Sequence, residues 1–296
     1  MSKQDNAAPV GGIAISDRQS FALLGGAVLF MLIFFIGPLL LVLWASFNPQ
    51  SGGHLANYAA IASDDYYWGV LLSTLKLGFW VTLLSLILGY VIAYYMTFHV
   101  KSQFWSRILY VVIVLPLFTS SIVRSFGWII MLGRNGLINE SLLFLHLADK
   151  PQQLLYSNGG VIVSLTYVLV PFMILTLSSA LQNISASLHE AAHDLGASNL
   201  VTFFKVTLPL SVPGVIAGSL IVFTLAISAY VTPSVMSGGR QMVMPSLIYD
   251  YYMVQFNFSM GAALSIVLLI STLGLISAYM LLFRHYAAGA SQGRVT

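Results

Sequence analysis

Six apolar stretches, at residues 21–47, 69–98, 108–132, 159–181, 213–236 and 259–283, constrain this chain more than any other feature. Each reaches the roughly 20 residues that a helix needs to cross about 30 Å of hydrocarbon. In lipid a backbone group has no water to bond, so a spanning segment of this length closes its hydrogen bonds internally as an α-helix. With 58% hydrophobic and 7% charged residues, the chain lacks the charge to coat a soluble surface of its size. The sequence therefore predicts an all-α polytopic membrane protein with six transmembrane helices. Lipid is its surrounding medium, and a net charge of +3 marks no nucleic-acid surface. The absence of cysteine excludes disulfides and thiolate metal sites. The first stretch is too long for a signal-peptide core, carries Asp5, Asp17 and Arg18 ahead of it, and has no A-x-A site after it.

The basic residues orient the spans. With the N-terminus inside, the inner segments hold Lys3, Arg18, Lys101, Arg107, Lys205, Arg284 and Arg294, and the outer loops hold Arg134, Lys150 and Arg240. That excess follows the positive-inside rule and puts both termini in the cytoplasm. Trp44, Tyr66, Tyr67, Trp68 and Trp128 fall at the outer interface and Trp105 at the inner one, as an aromatic belt. The expected organisation is a cytoplasmic tail over residues 1–20, a transmembrane domain over 21–284 with a cytoplasmic loop at 182–212, and a cytoplasmic tail over 285–296. Residues 1–16 and 287–296 read as disordered. The outer loop after the third span contains an amphipathic stretch at 137–147, expected to be a short surface helix. Pro38, Pro116, Pro171 and Pro233 lie in or beside spans, where kinks are expected.

The inner loop carries the most specific motif. It reads EAAHDLGASNLVTFFKVTLP from Glu190 to Pro209. Ser187 and Glu190 have capping-box spacing, which predicts a helix starting near Leu188 with Glu190 and Asp194 in its early turns. Gly196 stands where a left-handed residue would end that helix. A second amphipathic stretch, residues 200–206, is expected to complete a helix-turn-helix lying flat under the membrane.

This segment resembles the Glu-Ala-Ala loop of ABC importer permeases, whose pattern is matched by Glu190, Ala191, Ala192, Gly196, Leu208 and Pro209, with Val206 where isoleucine is usual. The resemblance implies that Glu190, Ala191, Ala192, Asp194, Gly196, Ala197, Leu208 and Pro209 couple the chain to a separate ATPase. The chain has no G-x-x-x-x-G-K-[ST] string of its own. Leu115-Pro116-Leu117 through Arg124 to Trp128, Gly136-Leu137-Ile138-Asn139, Ser73 to Lys76, Pro213-Gly214 and Ser237-Gly238-Gly239 look like the spermidine/putrescine-type permeases. That resemblance spans residues 21–283. It implies a type I importer fold in a bacterial inner membrane, two ATPase subunits, a second and different permease, and a periplasmic binding protein. It also implies no cofactor on this chain, ATP and Mg being held by the ATPases.

The same loop spells His189-Glu190-Ala191-Ala192-His193, the H-E-x-x-H of zinc proteases. A membrane metalloprotease is thus the alternative of a different class. A catalytic zinc needs three protein ligands, however, and Asn199 stands where the longer motif has its third histidine. Both histidines therefore read as surface residues flanking a docking glutamate, and no metal site is expected.

Lys76 and Arg124 are charges within spans, costing about 2.5–3.5 kcal/mol each on insertion. Both are candidates for the translocation path or its gate, together with Trp128, Tyr230 and Asp250. Snorkelling to the outer headgroups is the competing account of the two cations. Asp250 among Tyr249, Tyr251 and Tyr252 suits an ammonium group.

Overall fold

The computed structural model describes residues 25–26, 28–49 and 53–292, with 284–292 described by backbone alone. The N-terminal tail and the first residues of the expected first span lie outside that set. The described residues form helices and no strands. In chain order these are α1 (Val28–Ser46), α2 (Ala56–Ser63), α3 (Asp65–Phe98), α4 (Gln103–Phe118), α5 (Ser121–Leu132), α6 (Leu137–Phe144), α7 (Asn158–Gln182), α8 (Ala186–Asp194), α9 (Asn199–Ile227), α10 (Val231–Ser237), α11 (Met244–Met253) and α12 (Phe258–Gln292).

α1, α3, α7, α9 and α12 are each long and apolar enough to cross a membrane. The third span is not one straight helix. The segments Gln103–Phe118 and Ser121–Phe144 meet at a bend of 99°. The cause is local: Pro116 shapes a short 3-10 turn, Leu115–Phe118, and Thr119 then turns extended, with ψ near 147°. An extended residue cannot continue an i to i−4 ladder, so the chain restarts at Ser121.

α3, α7 and α9 pack together around Val81, Met173, Leu177, Leu181 and Val222, all fully buried. Helices in lipid gain little from excluding water and depend on close van der Waals approach. Glycine permits that approach here. A methyl group at Gly218 or Gly89 would meet Met173 at 2.7 or 2.8 Å, and one at Gly214 would collide with Ala180. α1 lies against α12 on one flank, α10 packs on α5, and α11 packs on α12.

Helix ends follow the capping chemistry. Asp64 accepts from the Tyr66 amide at 2.9 Å and starts α3 four residues ahead of the expected position. Ser157 does the same for Gly160 at 3.0 Å and opens α7. α6 confirms the expected short helix after the third span. Its buried Asn139 ties the loop together by donating to the Gly133 and Gln152 carbonyls at 2.9 and 3.1 Å and accepting from the Gln152 amide at 2.8 Å. α11 is anchored by its first amide, Met244, donating to Thr74 Oγ1 at 2.8 Å.

Among the described residues two wide π turns occur, at Leu32–Ile36 and Phe203–Thr207, each ending two residues before a proline, Pro38 and Pro209. A proline ring clashes with the carbonyl four residues back, and a widened turn moves that carbonyl away without ending the helix. For Pro209 this corrects the expected flat helix-turn-helix. The second helix of the loop is the continuous start of the fifth span, which also ends at Ile227 and not near residue 236. α12 likewise continues to Gln292, into the stretch expected to be disordered, because Ala287, Ala288 and Ala290 sustain a helix.

Tyr58 donates to Ser46 Oγ at 2.7 Å, so the end of α1 lies beside α2 and the start of α3. The start of α1, the end of α3, the end of α7 and the end of α12 therefore share the opposite face, where α8 lies.

Candidate coupling site and path residues

α8 begins at Ala186 behind Ser185. The expected capping box is not formed: the Ser187 hydroxyl bonds the Ser185 hydroxyl at 2.7 Å, and Glu190 lies in the second turn. The helix instead starts two residues earlier, with Ser185 at the N-cap position and no side-chain cap bond. Glu190 is exposed and its side chain makes no hydrogen bond among the described residues. Ala191 and Asp194 are exposed beside it.

The end of α8 is as expected. Gly196 has φ +79°, its amide donates to the His193 carbonyl at 2.8 Å, and the Ala197 amide donates to Ala192 at 3.0 Å. These two bonds form a Schellman stop, which favours glycine at the left-handed position. The chain then reverses, and Ser198 caps α9 by accepting from the Val201 amide at 3.4 Å.

Between α8 and the start of α9 lies an open groove of about 500 Å³ lined by Ala192, Leu195, Gly196, Ala197, Val201 and Lys205. Leu195 is 88% exposed, and Leu200 and Phe204 also stand out from this surface. An apolar set with a carboxylate on one side and an ammonium on the other is a surface built to be covered. Leu208 is half-buried and Pro209 exposed at the turn that leads α9 into the bundle.

The two histidines of the H-E-x-x-H string do different things. His189, expected at the surface, is half-buried. Its Nε2 lies 3.1 Å from Thr207 Oγ1, and its ring packs on Phe98 at 4.9 Å. His193 bonds the Ala197 carbonyl at 3.2 Å. No three His, Asp or Glu side chains converge among the described residues, so the two histidines gain no third ligand. Sequence reasoning missed His189 as an anchor, and with it Phe203, whose ring meets Tyr90 and Tyr94 edge-on at 5.7 and 5.4 Å. Tyr90 also bonds Ser211 at 2.7 Å. No local signal marks either residue, because each is placed by contacts between separate helices.

The path candidates divide into separate groups. Lys76 is exposed on the rim of an apolar cavity of about 700 Å³ between α3, α9 and α12, beside Phe79, Phe223 and Tyr279. Arg124 stands at the 99° bend. It donates to the carbonyls of Pro116 and Thr119 (2.8 Å for the latter), to Thr119 Oγ1 at 3.4 Å and to Ser121 Oγ at 3.0 Å. Trp128 is half-buried against Tyr167, ring centroids 5.7 Å apart. Tyr230, at the break between α9 and α10, stacks on Tyr249 at 4.6 Å, next to Asp250 on α11. Asp250 accepts from Gln255 Nε2 at 2.6 Å. Tyr230 and Asp250 are thus brought to one corner, and Lys76 is left on another flank.

Residues 85–287 match the family described as binding-protein-dependent transport system inner membrane component. The spermidine/putrescine transport system permease protein PotB of Escherichia coli is 33% identical over 255 residues, covering 84% of this chain and 90% of that protein. PotB of Haemophilus influenzae is 34% identical over 257 residues, covering 84% and 88%. A bacterial ABC transporter that imports the acidic polysaccharide alginate superposes with a TM-score of 0.74 at 18% identity, over 91% of this chain and 96% of that one. The likeness establishes the type I importer permease fold. The relatives are permeases and not enzymes, which removes the protease alternative. This chain belongs to the binding-protein-dependent transport system inner membrane components and is a multi-pass inner-membrane permease of an ABC importer.

Proposed function

We propose that the chain is one permease of an importer for small amine-bearing solutes of the polyamine class. It works with a second, different permease, two ATPase subunits that hold ATP and Mg, and a periplasmic binding protein that selects the solute. The similarity to PotB over 84% of the chain supports the solute class.

The α8 surface supports the coupling role. Its exposed Glu190 and Leu195 face outward, and His189 ties the same helix to α3 and α9. A docked ATPase that moves α8 therefore moves the start of the fifth span with it. Closure and opening of the ATPase pair would then rock the permeases between inward and outward states, with Glu190, Ala191, Ala192, Asp194, Gly196, Ala197, Leu208 and Pro209 forming the coupling region. The face bearing α8, the start of α1 and the end of α12 is the cytoplasmic one in this scheme. Lys76, Arg124, Trp128, Tyr230 and Asp250 border the solute's route.

Uptake of labelled spermidine and putrescine by cells carrying the whole system, against a strain deleted for this permease, tests the reading. Loss of amine uptake in the deletion supports it. Unchanged amine uptake, with loss of another solute carried by the same binding protein, overturns the solute class.

A further inference from the structure

The bend in the third span holds a cage of neutral oxygens. Because Thr119 is extended, the i to i−4 ladder of α4 stops here and its last carbonyls take other donors. Pro116 O is turned back on by the Thr119 amide and hydroxyl, at 3.3 and 2.8 Å. The cage comprises Pro116 O, Thr119 O, Thr119 Oγ1 and Ser121 Oγ, and all four accept from the Arg124 guanidinium.

Arg124 is an unusual occupant. It sits in the first turn of its own helix, α5, where the helix dipole disfavours a cation. Its charge instead faces the C-terminal end of the preceding helix, where carbonyl dipoles favour one. Every partner it has among the described residues is neutral, and its Nε is buried without any partner. The cage thus holds a positive charge by dipoles alone, with no carboxylate among these partners. Thr119 and Ser120 are exposed, so the cage opens to the outside of this chain's bundle. Ser125, one residue beyond Arg124, bonds Thr232 at 3.4 Å, which places this bend beside α10, just past the interruption at Ser228–Tyr230. Unwound carbonyls at such breaks serve as cation sites in transporters.

We propose that this cage is a site for an organic cation, filled at rest by Arg124 and opened to an ammonium or guanidinium group of the solute when the Arg124 side chain withdraws. The solute part rests on the amine reading above. Two cations cannot share one neutral cage, so exchange is one for one, and the solute must displace the arginine to advance. Arg124 then acts as a tethered plug that admits only cations able to replace its hydrogen bonds.

The test uses the purified permease complex with its ATPases and the Arg124→Ala variant. The probe is methylguanidinium, titrated at constant ionic strength with sodium chloride as the control, and the readout is the thermal unfolding midpoint. Removing the side chain lowers the midpoint, and methylguanidinium restores it saturably in the variant. The wild type responds at concentrations roughly tenfold or more higher, since each charge-assisted bond contributes about that factor. Spermidine competes with the probe in the variant. If Arg124→Ala does not assemble, Arg124→Lys is titrated the same way, its ammonium making fewer of the bonds.

A response equal in wild type and variant, or equal for sodium and methylguanidinium, overturns the site. Failure of spermidine to compete overturns its place on the solute's route. Wild-type spermidine uptake, measured separately, isolates the two readings. A saturable probe response without amine uptake upholds the cage and removes the solute class. Amine uptake with a flat probe response does the reverse.

Discussion

His189 Nε2 lies 3.1 Å from Thr207 Oγ1, which joins the middle of α8 to the π turn at the root of the fifth span. The two residues are 18 positions apart, with the whole α8–α9 reversal between them. Phe98 closes the contact from the end of α3. One face of α8 is therefore fastened to the bundle while Glu190 and Leu195 face away from it.

His189→Ala is expected to leave the ATPases bound but to lower the transport obtained per ATP, because the docked helix can then move without the fifth span. Solute transported and phosphate released, measured together in proteoliposomes with loaded binding protein, give that ratio. His189→Asn, which can keep a bond to Thr207, should recover part of it. An unchanged ratio in His189→Ala would remove the anchor role.

Glu190→Ala should not destabilise α8, since no cap is lost. Its effect should appear as weaker association with the ATPase, by roughly one charge contact, about 0.2–1 kcal/mol if rim-exposed and more if desolvated. Co-purification yield over a salt series checks this: the gap between wild type and variant should be present at low ionic strength and close at high.

Gly196→Val forces a β-branched residue to φ +79° in otherwise open space, so the penalty is purely conformational. It is expected to exceed the roughly 1–2 kcal/mol typical of a left-handed residue. The reversal between α8 and α9 should loosen, with the ATPase lost on purification while the spans remain inserted. Gly196→Asn should be milder, since asparagine tolerates this region.

Gly218→Val should strike Met173, and the thermal midpoint of the detergent-solubilised complex should fall by an amount corresponding to about 1–3 kcal/mol of overpacking. Met173→Ala in the same chain should recover part of the loss by vacating the volume. Additive losses in the double variant would place the clash elsewhere.

The apolar stretches were legible because lipid imposes length and composition on a span whatever its neighbours are. The Gly196 stop was legible for a related reason: a left-handed turn selects its residue locally. Local chemistry also misled at two places. Ser187 and Glu190 have capping-box spacing, yet α8 starts at Ala186 and the Ser187 hydroxyl bonds Ser185. Pro116 marked a disturbance in the third span, yet the bend itself comes where Thr119 turns extended, and Arg124 joins Thr119 in bonding the Pro116 carbonyl.

What the sequence by itself determined is the class: a membrane-spanning helical permease carrying one exposed loop with an ABC importer pattern. Those properties follow from hydropathy, periodicity and short-range backbone preference, each contained within a window of some 20 residues. Only the tertiary structure decided which side chains of that loop face inward, where the third and fifth spans break, and what surrounds Arg124. His189 and Thr207, or Ser125 and Thr232, are set against each other by the packing of helices distant along the chain, and no local pattern encodes which face of one helix meets which face of another.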